Sequence, residues 1–229
     1  MKFVIDIGPT PALPVVDSSE LFPVGRIYCI GRNYAEHARE MGHDPDREPP
    51  FFFMKPANSL VPNGATIPYP QVTKDLHHEI ELVVAIGKGG ANISAQQALD
   101  HVWGYGVGLD MTRRDIQGEA KKLGRPWEMG KGFDNSAPCT ALSPAARIGH
   151  PSQGVISLKV NGTLKQNGNL KEMIWNVADS IAYLSGLITL QPGDLIYSGT
   201  PAGVSAVQRG DKLEGHIDGV GDLTVTYAK

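Results

Sequence analysis

The chain has 229 residues, of which 41% are hydrophobic and 20% charged, and its formal net charge is −3 at pH 7. This length is sufficient for one sizeable core, and the composition is typical of a globular protein. A slightly acidic chain argues against nucleic acid as a partner, and no apolar run approaches the length of a bilayer span. Cys29 and Cys139 lack a CxxC partner, which favours buried free thiols in a reducing cytosol over a disulfide. We therefore expect a cytoplasmic chain with neither a nucleic-acid nor a membrane partner.

The first part of the chain alternates weakly and is interrupted by prolines. Residues 1–24 are predicted to form an N-terminal arm or short strand, and residues 25–229 the main domain. In that domain, strands are predicted at 26–30, 51–56, 82–86, 102–109, 156–160, 163–166, 195–197 and within 212–227, and helices at 34–41, 95–101, 111–123 and 173–187. The Asn161-Gly162 pair predicts a tight hairpin turn. Many short strands with few helices indicate a β-rich α+β fold, not a doubly wound one.

Two glutamates stand at the start of a strongly apolar strand. Residues 82–86 form a continuous run with β-branched residues, which predicts a strand buried on both faces. Alternation places Glu79 and Glu81 on one face, roughly 7 Å apart, so that both side chains can reach one ion. A metal ion would relieve the repulsion between two buried carboxylates. The alternative is that this end of the strand is hydrated and the glutamates are simply solvated.

Segment 102–109 has glycine at every second position from 104 to 108, which leaves one face of the predicted strand without side chains and permits close approach of another backbone or a ligand. Asp110 follows this segment and could supply a third carboxylate. Without clustered histidines or cysteines, an all-oxygen set favours Mg²⁺ or Mn²⁺, with Ca²⁺ as a further candidate. The alternative for Asp110 is an N-cap of the predicted helix 111–123. A nucleotide site is not indicated, since the glycines of segment 102–109 lack the GxGxxG spacing and Lys131 is followed by glycine.

Several other residues have the chemistry of a catalytic or anion-binding site. His37 and Glu40 are three apart on a predicted helix, where the glutamate could orient the imidazole as a base or the two could form a surface pair. Asp110, Arg114 and Gln117 are spaced i, i+4 and i+7, which predicts that they share one stripe of the helix expected at 111–123. Arg114 and Lys131 could each be surface residues, but a lysine between two glycines in an aromatic loop is also a candidate anion binder.

Five motifs together resemble one enzyme family. They are Gly31-Arg32-Asn33-Tyr34-Ala35-Glu36-His37, His77-His78-Glu79-Ile80-Glu81-Leu82, Gly108-Leu109-Asp110-Met111-Thr112, Gly130-Lys131 and Ser198-Gly199-Thr200-Pro201. In this order they are similar to the fumarylacetoacetate hydrolase family, from about residue 25 to the C-terminus. Within the family, Arg125-Pro126-Trp127-Glu128 and Pro49-Pro50-Phe51-Phe52-Phe53 resemble the acylpyruvate hydrolases.

The resemblance implies a fold, a partner and roles for individual residues. The implied fold is a mixed β-sandwich roll of the C-terminal type found in that family, usually a homodimer. The implied roles are Glu79, Glu81 and Asp110 as Mg²⁺ or Mn²⁺ ligands, His37 and Glu40 as the water-activating pair on a lid segment, Lys131 as a further catalytic group, and Arg114, Gln117 and Thr200 as substrate-binding residues. Arg32 and Arg113 are candidates for binding a second carboxylate of the substrate.

The implied reaction is metal-dependent hydrolysis of the carbon–carbon bond in a 2,4-dioxo acid. Fumarylpyruvate would give fumarate and pyruvate, as in gentisate-type aromatic catabolism. The metal would stabilise the pyruvate enolate while His37 draws a proton from the attacking water. Hydrolysis of other acylpyruvates, oxaloacetate decarboxylation and, more distantly, a non-catalytic ligand-binding role remain as alternatives.

Overall fold

The computed structural model of the chain describes residues 4–5, 8–40 and 49–229, and within them every side chain except those of residues 38 and 40. The strands, in chain order, are β1 Ala12–Pro14, β2 Leu21–Pro23, β3 Ile27–Gly31, β4 Phe51–Lys55, β5 Leu60–Pro62, β6 Thr66–Ile67, β7 Leu76–His77, β8 Ile80–Ile86, β9 Val102–Leu109, β10 Thr112–Arg113, β11 Ala137–Cys139, β12 Ser143–Pro144, β13 Val155–Val160, β14 Thr163–Asn169, β15 Leu195–Tyr197, β16 Ala206–Val207, β17 Lys212–Ile217 and β18 Gly221–Tyr227. The helices are α1 Ala35–Glu40, α2 Arg114–Lys122, α3 Glu128–Lys131, α4 Ala145–Ile148 and α5 Val177–Leu187, with 3-10 turns at Ala57–Ser59, Ala98–His101 and Leu170–Glu172.

Two mixed sheets form the body of the protein. The larger sheet has the order β4-β3-β15-β8-β9-β11-β5, with β12 also paired to β9, and the smaller has the order β14-β13-β17-β18-β6. Most neighbours are antiparallel, but β15 runs parallel to β3, β11 parallel to β5 and β18 parallel to β6. This β-rich arrangement confirms the predicted fold class.

Strand β8 lies at the centre of the larger sheet and is buried along its whole length. Its even-numbered residues, such as Leu82 and Val84, pack in the core shared with the smaller sheet. Val83 and Ala85 face the opposite way, into a second core that includes Leu13 of β1 and Phe22 of β2. Because both faces are covered by apolar side chains, residues 82–86 of the strand form an uninterrupted hydrophobic run.

The glycines of β9 allow close packing, as their spacing predicts. A Cβ atom at Gly108 would lie 2.5 Å from Val83 Cγ2 and 2.6 Å from the Tyr197 ring. A Cβ atom at Gly104 would lie 2.4 Å from the Ser143 carbonyl oxygen. The missing side chains therefore bring β9 against its neighbours and place the residue that follows it, Asp110, close to the start of β8.

The predicted helix 111–123 begins three residues later than expected. Residues 112–113 instead form β10, which pairs with β7, and the Arg114 amide donates to the Asp75 carbonyl 2.7 Å away. Asp110 is consequently separated from α2 and does not cap it. The prediction that Asp110 shares a helical stripe with Arg114 and Gln117 is wrong for the same reason.

Two other helices are also shorter than predicted. The segment 95–101 contains only a 3-10 turn at Ala98–His101, and the helix predicted from 173 begins at Val177. In the second case the Asn176 side chain accepts a hydrogen bond from the Asp179 amide at 3.0 Å, a standard N-cap that sets the helix start.

Other local predictions are confirmed. Asn161 and Gly162 join β13 to β14 with positive φ angles of 50° and 77°, as a twisted two-residue hairpin turn requires. Cys29 and Cys139 are buried free thiols. No helix in the described part of the chain combines the length and apolar character that a membrane crossing requires.

We expect Gly108→Ala to destabilise the protein by about 1–3 kcal/mol, because the added methyl group overpacks the contact with Val83 and Tyr197. Urea unfolding followed by circular dichroism measures the change. Gly186→Ala in α5 is the matched control, since its Cβ would meet no atom within 4 Å and the substitution should be neutral or stabilising. Equal stability of the Gly108→Ala variant and the wild type would contradict the packing argument.

Candidate metal and substrate site

Three carboxylates converge where β8 begins and β9 ends. Glu81 is the second residue of β8 and pairs with Gly108 of β9, and the Asp110 amide donates to the Glu79 carbonyl at 2.8 Å. One oxygen from each of Glu79, Glu81 and Asp110 lies within 4.8 Å of the others. The three residues are buried, with relative exposures of 5%, 1% and 0%. The sequence pattern and the sheet register thus place them in one group.

Cationic side chains surround two of these carboxylates. Lys131 Nζ lies 2.7 Å from Glu79 Oε2 and 2.7 Å from Asp110 Oδ2. Lys55 Nζ lies 2.8 Å from Asp110 Oδ1, and Arg114 donates to Glu79 Oε1 at 2.6 Å. Buried charges need such partners, because an unpaired charge would be costly to desolvate.

Glu81 has a different environment. Its Oε2 accepts a hydrogen bond from the Gly199 amide at 2.8 Å, and no cationic group in the described ranges lies within 4.0 Å of it. Burial and the neighbouring charges of Asp110 and Glu79 raise the pKa of Glu81 well above its usual range. Burial also opposes ionisation of Glu79, but Lys131 and Arg114 outweigh it and hold the pKa of Glu79 well below its usual range.

This donor set fits a hard divalent cation. Three carboxylate oxygens converge within a distance that one ion can bridge, and no sulfur or imidazole belongs to the group. Oxygen-only ligation is the preference of Mg²⁺, Mn²⁺ and Ca²⁺. A cation beside Glu81 would also offset the repulsion that disfavours its ionised form.

Lys131 lies between two glycines in a segment predicted to be a loop, but in the structure its side chain is firmly held. It ends the short helix α3, and all three N–H bonds of its ammonium are donated, to Glu79, Asp110 and the Thr112 hydroxyl at 2.7 Å each. Burial disfavours the charged form, but the two carboxylates outweigh this and raise the pKa of Lys131. Lys131 is therefore a charged residue of the carboxylate group, and any bond to a substrate would replace one of these three.

Lys55 was not identified as a site residue from the sequence. It ends β4, is buried to 1% exposure, and donates to the backbone carbonyls of Met111 and Lys131 as well as pairing with Asp110. The sequence feature that could have identified it is a lysine at the end of the apolar run 51–54, because a buried lysine requires an anionic partner. Lys55 thereby ties β4 to the segments that carry Asp110 and Lys131.

His37 lines the same pocket as Glu79 and Glu81. It lies on α1 with 6% exposure, and its charge would contribute to the depression of the Glu79 pKa. The side chain of Glu40, its predicted partner, lies outside the described residues. The pairing of these two residues therefore stays a prediction.

Thr200 lines the pocket and belongs to a buried hydrogen-bond network. Gln166 Nε2 donates to Thr200 Oγ1 at 2.8 Å, while Gln166 Oε1 accepts from His78 Nδ1 at 2.8 Å. Ser205 Oγ lies 2.9 Å from His78 Nε2, and burial lowers the pKa of His78 to about 4, so the ring is neutral. Because Thr200 Oγ1 already accepts from Gln166, its own hydroxyl hydrogen is available to donate to an anionic group in the pocket.

Sequence reasoning missed Gln166 and His78. Nothing in the local pattern of β14 distinguishes Gln166 from its exposed neighbours, because the groups that it bonds, His78, the Ile80 amide and Thr200, are distant along the chain. His78 could have been found from the alternation that places it on the face opposite Glu79, towards the core.

The remaining predicted residues separate into two groups. Arg114, Gln117, Thr200 and Arg32 all line the pocket, and Arg114 also donates to Gln117 Oε1 at 2.8 Å. Arg113 does not line it, since its guanidinium stacks on the Phe133 ring 4.3 Å from the centroid. Further lining residues, among them Phe53, Lys121 and Trp127, were not predicted as site residues.

Comparison with known proteins agrees with this geometry. The sequence profile of the family described as Fumarylacetoacetate (FAA) hydrolase C-terminal matches residues 26–227. A fumarylpyruvate hydrolase from Ralstonia sp. is 46% identical over 188 residues, which cover 81% of this chain and 97% of the relative. The human mitochondrial protein oxaloacetate tautomerase FAHD1 is 43% identical over 203 residues, covering 89% of this chain and 91% of the relative.

A solved structure shows the same fold. The crystal structure of fumarylpyruvate hydrolase from Pseudomonas aeruginosa, in complex with Mn²⁺ and pyruvate, superposes with a TM-score of 0.97 at 52% identity and covers 99% of each chain. The family match spans nearly the whole chain, including the three carboxylates and Lys131. The chain belongs to the fumarylacetoacetate hydrolase family, through the C-terminal domain that defines it.

Proposed function

We propose that the protein is a metal-dependent hydrolase that cleaves the carbon–carbon bond of a 2,4-dioxo acid, converting fumarylpyruvate to fumarate and pyruvate. The observation that carries this proposal is the convergence of Glu79, Glu81 and Asp110, because the two glutamates of this group line a pocket that His37 and Thr200 also line. Support comes from the Ralstonia fumarylpyruvate hydrolase and from the Pseudomonas structure, which holds Mn²⁺ and pyruvate.

Glu79, Glu81 and Asp110 would hold Mg²⁺ or Mn²⁺, with Ca²⁺ as a third candidate. The ion supplies Lewis-acid stabilisation of the negative charge that develops on the pyruvate half of the substrate. The Thr200 hydroxyl and the side chains of Arg114 and Gln117 would bind and orient that half, because each of them lines the pocket.

His37 would act as the general base. An imidazole nitrogen, oriented by Glu40, takes a proton from a water molecule, and the water oxygen attacks the C4 carbonyl of the substrate. The C3–C4 bond then breaks with its electron pair moving to C3, which gives the enolate of pyruvate and leaves fumarate. Protonation of C3 completes the reaction. Lys131 contributes fixed positive charge next to the reacting oxygens, at the cost of one of its present hydrogen bonds.

A second candidate function is action on oxaloacetate, by decarboxylation or tautomerisation. The observation that favours it is the 43% identity with human oxaloacetate tautomerase FAHD1. Oxaloacetate is also a 2-oxo acid whose reactions pass through an enol or enolate at C3, so the same carboxylate group and His37 would serve. Hydrolysis of neutral acylpyruvates requires no further group.

The wider assignment is also part of this proposal. Residues 1–24 would be an arm and residues 25–229 the catalytic domain of a homodimeric, cytoplasmic enzyme in gentisate-type aromatic catabolism. The two buried free thiols and the similarity to fumarylpyruvate hydrolases support this assignment.

The proposed activity is tested by following the ultraviolet absorbance of enolised 2,4-dioxo acids with purified protein and Mg²⁺ or Mn²⁺. We expect loss of fumarylpyruvate absorbance together with stoichiometric release of pyruvate and fumarate. Acetylpyruvate and oxaloacetate are compared under the same conditions. Faster turnover of oxaloacetate than of fumarylpyruvate would favour the second candidate.

Glu81→Gln is expected to abolish Mn²⁺ binding measured by calorimetry and to lower kcat/KM by about 10³-fold, because Lewis-acid stabilisation contributes several kcal/mol. The control is Glu119→Gln on the exposed face of α2, which should leave both quantities unchanged. Full activity of the wild type in excess chelator would rule out the metal-dependent mechanism.

His37→Ala is expected to lower kcat by about 10²–10⁴-fold, the usual contribution of a general base, while Mn²⁺ affinity is retained. Single-turnover kinetics and a metal titration on the same preparation measure the two effects. His216→Ala, at a half-buried position on β17 in the other sheet, serves as the control. Wild-type turnover in the His37→Ala variant would exclude this residue as the base.

A further inference from the structure

We propose that Lys121 binds the distal carboxylate of the acyl group and so gives the pocket its preference for dicarboxylic over neutral acylpyruvates. This inference rests on the proposed function, since it assigns the substrate class of the same pocket. Lys121 is part of none of the five sequence motifs that carry the family resemblance, and it takes the role for which Arg32 and Arg113 were considered.

Lys121 lies on the face of α2 that lines the pocket. Residues 114, 117 and 121 are spaced i, i+3 and i+7, so they lie on one face of the helix, and all three line the pocket. Arg114 at one end of this stripe donates to Glu79 of the carboxylate group. Lys121 lies two turns further along the helix. The stripe therefore runs from the carboxylate group along the pocket lining to Lys121.

The length of this helical stripe matches a linear substrate with a carboxylate at each end. Seven residues of helix advance roughly 10 Å. The two carboxylate carbons of fumarylpyruvate are separated by six bonds, and an extended chain advances about 3.3 Å for every three bonds, which gives roughly 7 Å. Flexible side chains cover the difference. Acetylpyruvate ends in a methyl group and would offer Lys121 no anionic partner.

An aromatic surface positions the ammonium group. Lys121 Nζ lies 4.8 Å from the centroid of the Trp127 ring, which Phe53 contacts with a centroid distance of 5.9 Å. Trp127 and Phe53 both line the pocket. A cation over an aromatic ring is restrained without being neutralised, so its charge stays available to a ligand. The flat rings also suit a planar, conjugated acyl chain such as the fumaryl group.

Charge balance distinguishes Lys121 from Lys131 and Arg114. Lys131 and Arg114 are each paired with a carboxylate of the metal group, whereas no carboxylate within the described ranges lies within 4.0 Å of Lys121. Burial, together with the positive charges of Arg114 and Arg32, lowers the pKa of Lys121 to about 8. An incoming carboxylate would relieve this crowding of positive charge.

The test compares Lys121→Met with the wild type on fumarylpyruvate and acetylpyruvate. Methionine keeps much of the apolar stem and removes the charge. We expect kcat/KM for fumarylpyruvate to fall by about 30-fold, mainly through KM, as for the loss of one charge-assisted hydrogen bond. The value for acetylpyruvate should stay within about twofold, and Lys121→Arg should restore most of the fumarylpyruvate activity. Lys122→Met, at the exposed neighbouring position, is the matched control.

Binding is measured separately from turnover so that the two proposals can fail independently. In a His37→Ala background, calorimetry with Mn²⁺-loaded protein should show the same selective loss of fumarylpyruvate affinity on Lys121→Met. Equal losses for both ligands, or an unchanged fumarylpyruvate affinity, would overturn the role of Lys121. A wild type that hydrolyses neither acid would refute the proposed function, while the binding ratio would still decide the role of Lys121.

Discussion

The structure depends on the compensation of buried negative charge at the junction of β8 and β9. Glu79, Glu81 and Asp110 lie within a few ångströms of one another, nearly excluded from water. Such a group is stable only if cations balance it. Lys131, Lys55 and Arg114 provide that balance for Glu79 and Asp110, which leaves Glu81 as the carboxylate where a divalent cation brings the largest electrostatic gain.

The fold brings these charges together by packing the two strands on every side. Strand β8 is covered by the smaller sheet on one face and by the β1–β2 hairpin on the other. The glycines of β9 let neighbouring side chains and backbone approach closely, which leaves little freedom for the position of Asp110. The carboxylates are thereby held in a geometry set by the sheet register, and a metal ion would meet ligands that are already arranged.

Opposite ends of the pocket differ in chemistry. The metal end is polar and charge-balanced, whereas at the other end the ammonium of Lys121 lies over the Trp127 ring. Phe53 contacts both, with its ring centroid 4.9 Å from Lys131 Nζ and 5.9 Å from that of Trp127. A substrate that carries an oxo-carboxylate at one end and a second carboxylate at the other would match both. The substrate preference and the metal chemistry can therefore be altered by separate substitutions.

Local patterns in the sequence determined much of the fold around the carboxylate group. Alternation placed Glu79 and Glu81 on one face of a buried strand, glycine spacing predicted the close packing of β9, and Asn161-Gly162 predicted the hairpin. These features depend on neighbours in the chain. Other features were decided only by the tertiary structure. Asp110 lies outside helix α2 and pairs with Lys55 and Lys131. Gln166 supports Thr200, and Lys121 faces the pocket while Arg113 stacks on Phe133. Their partners are distant along the chain, and the cost of burying an unpaired charge is met only when folding brings those partners together.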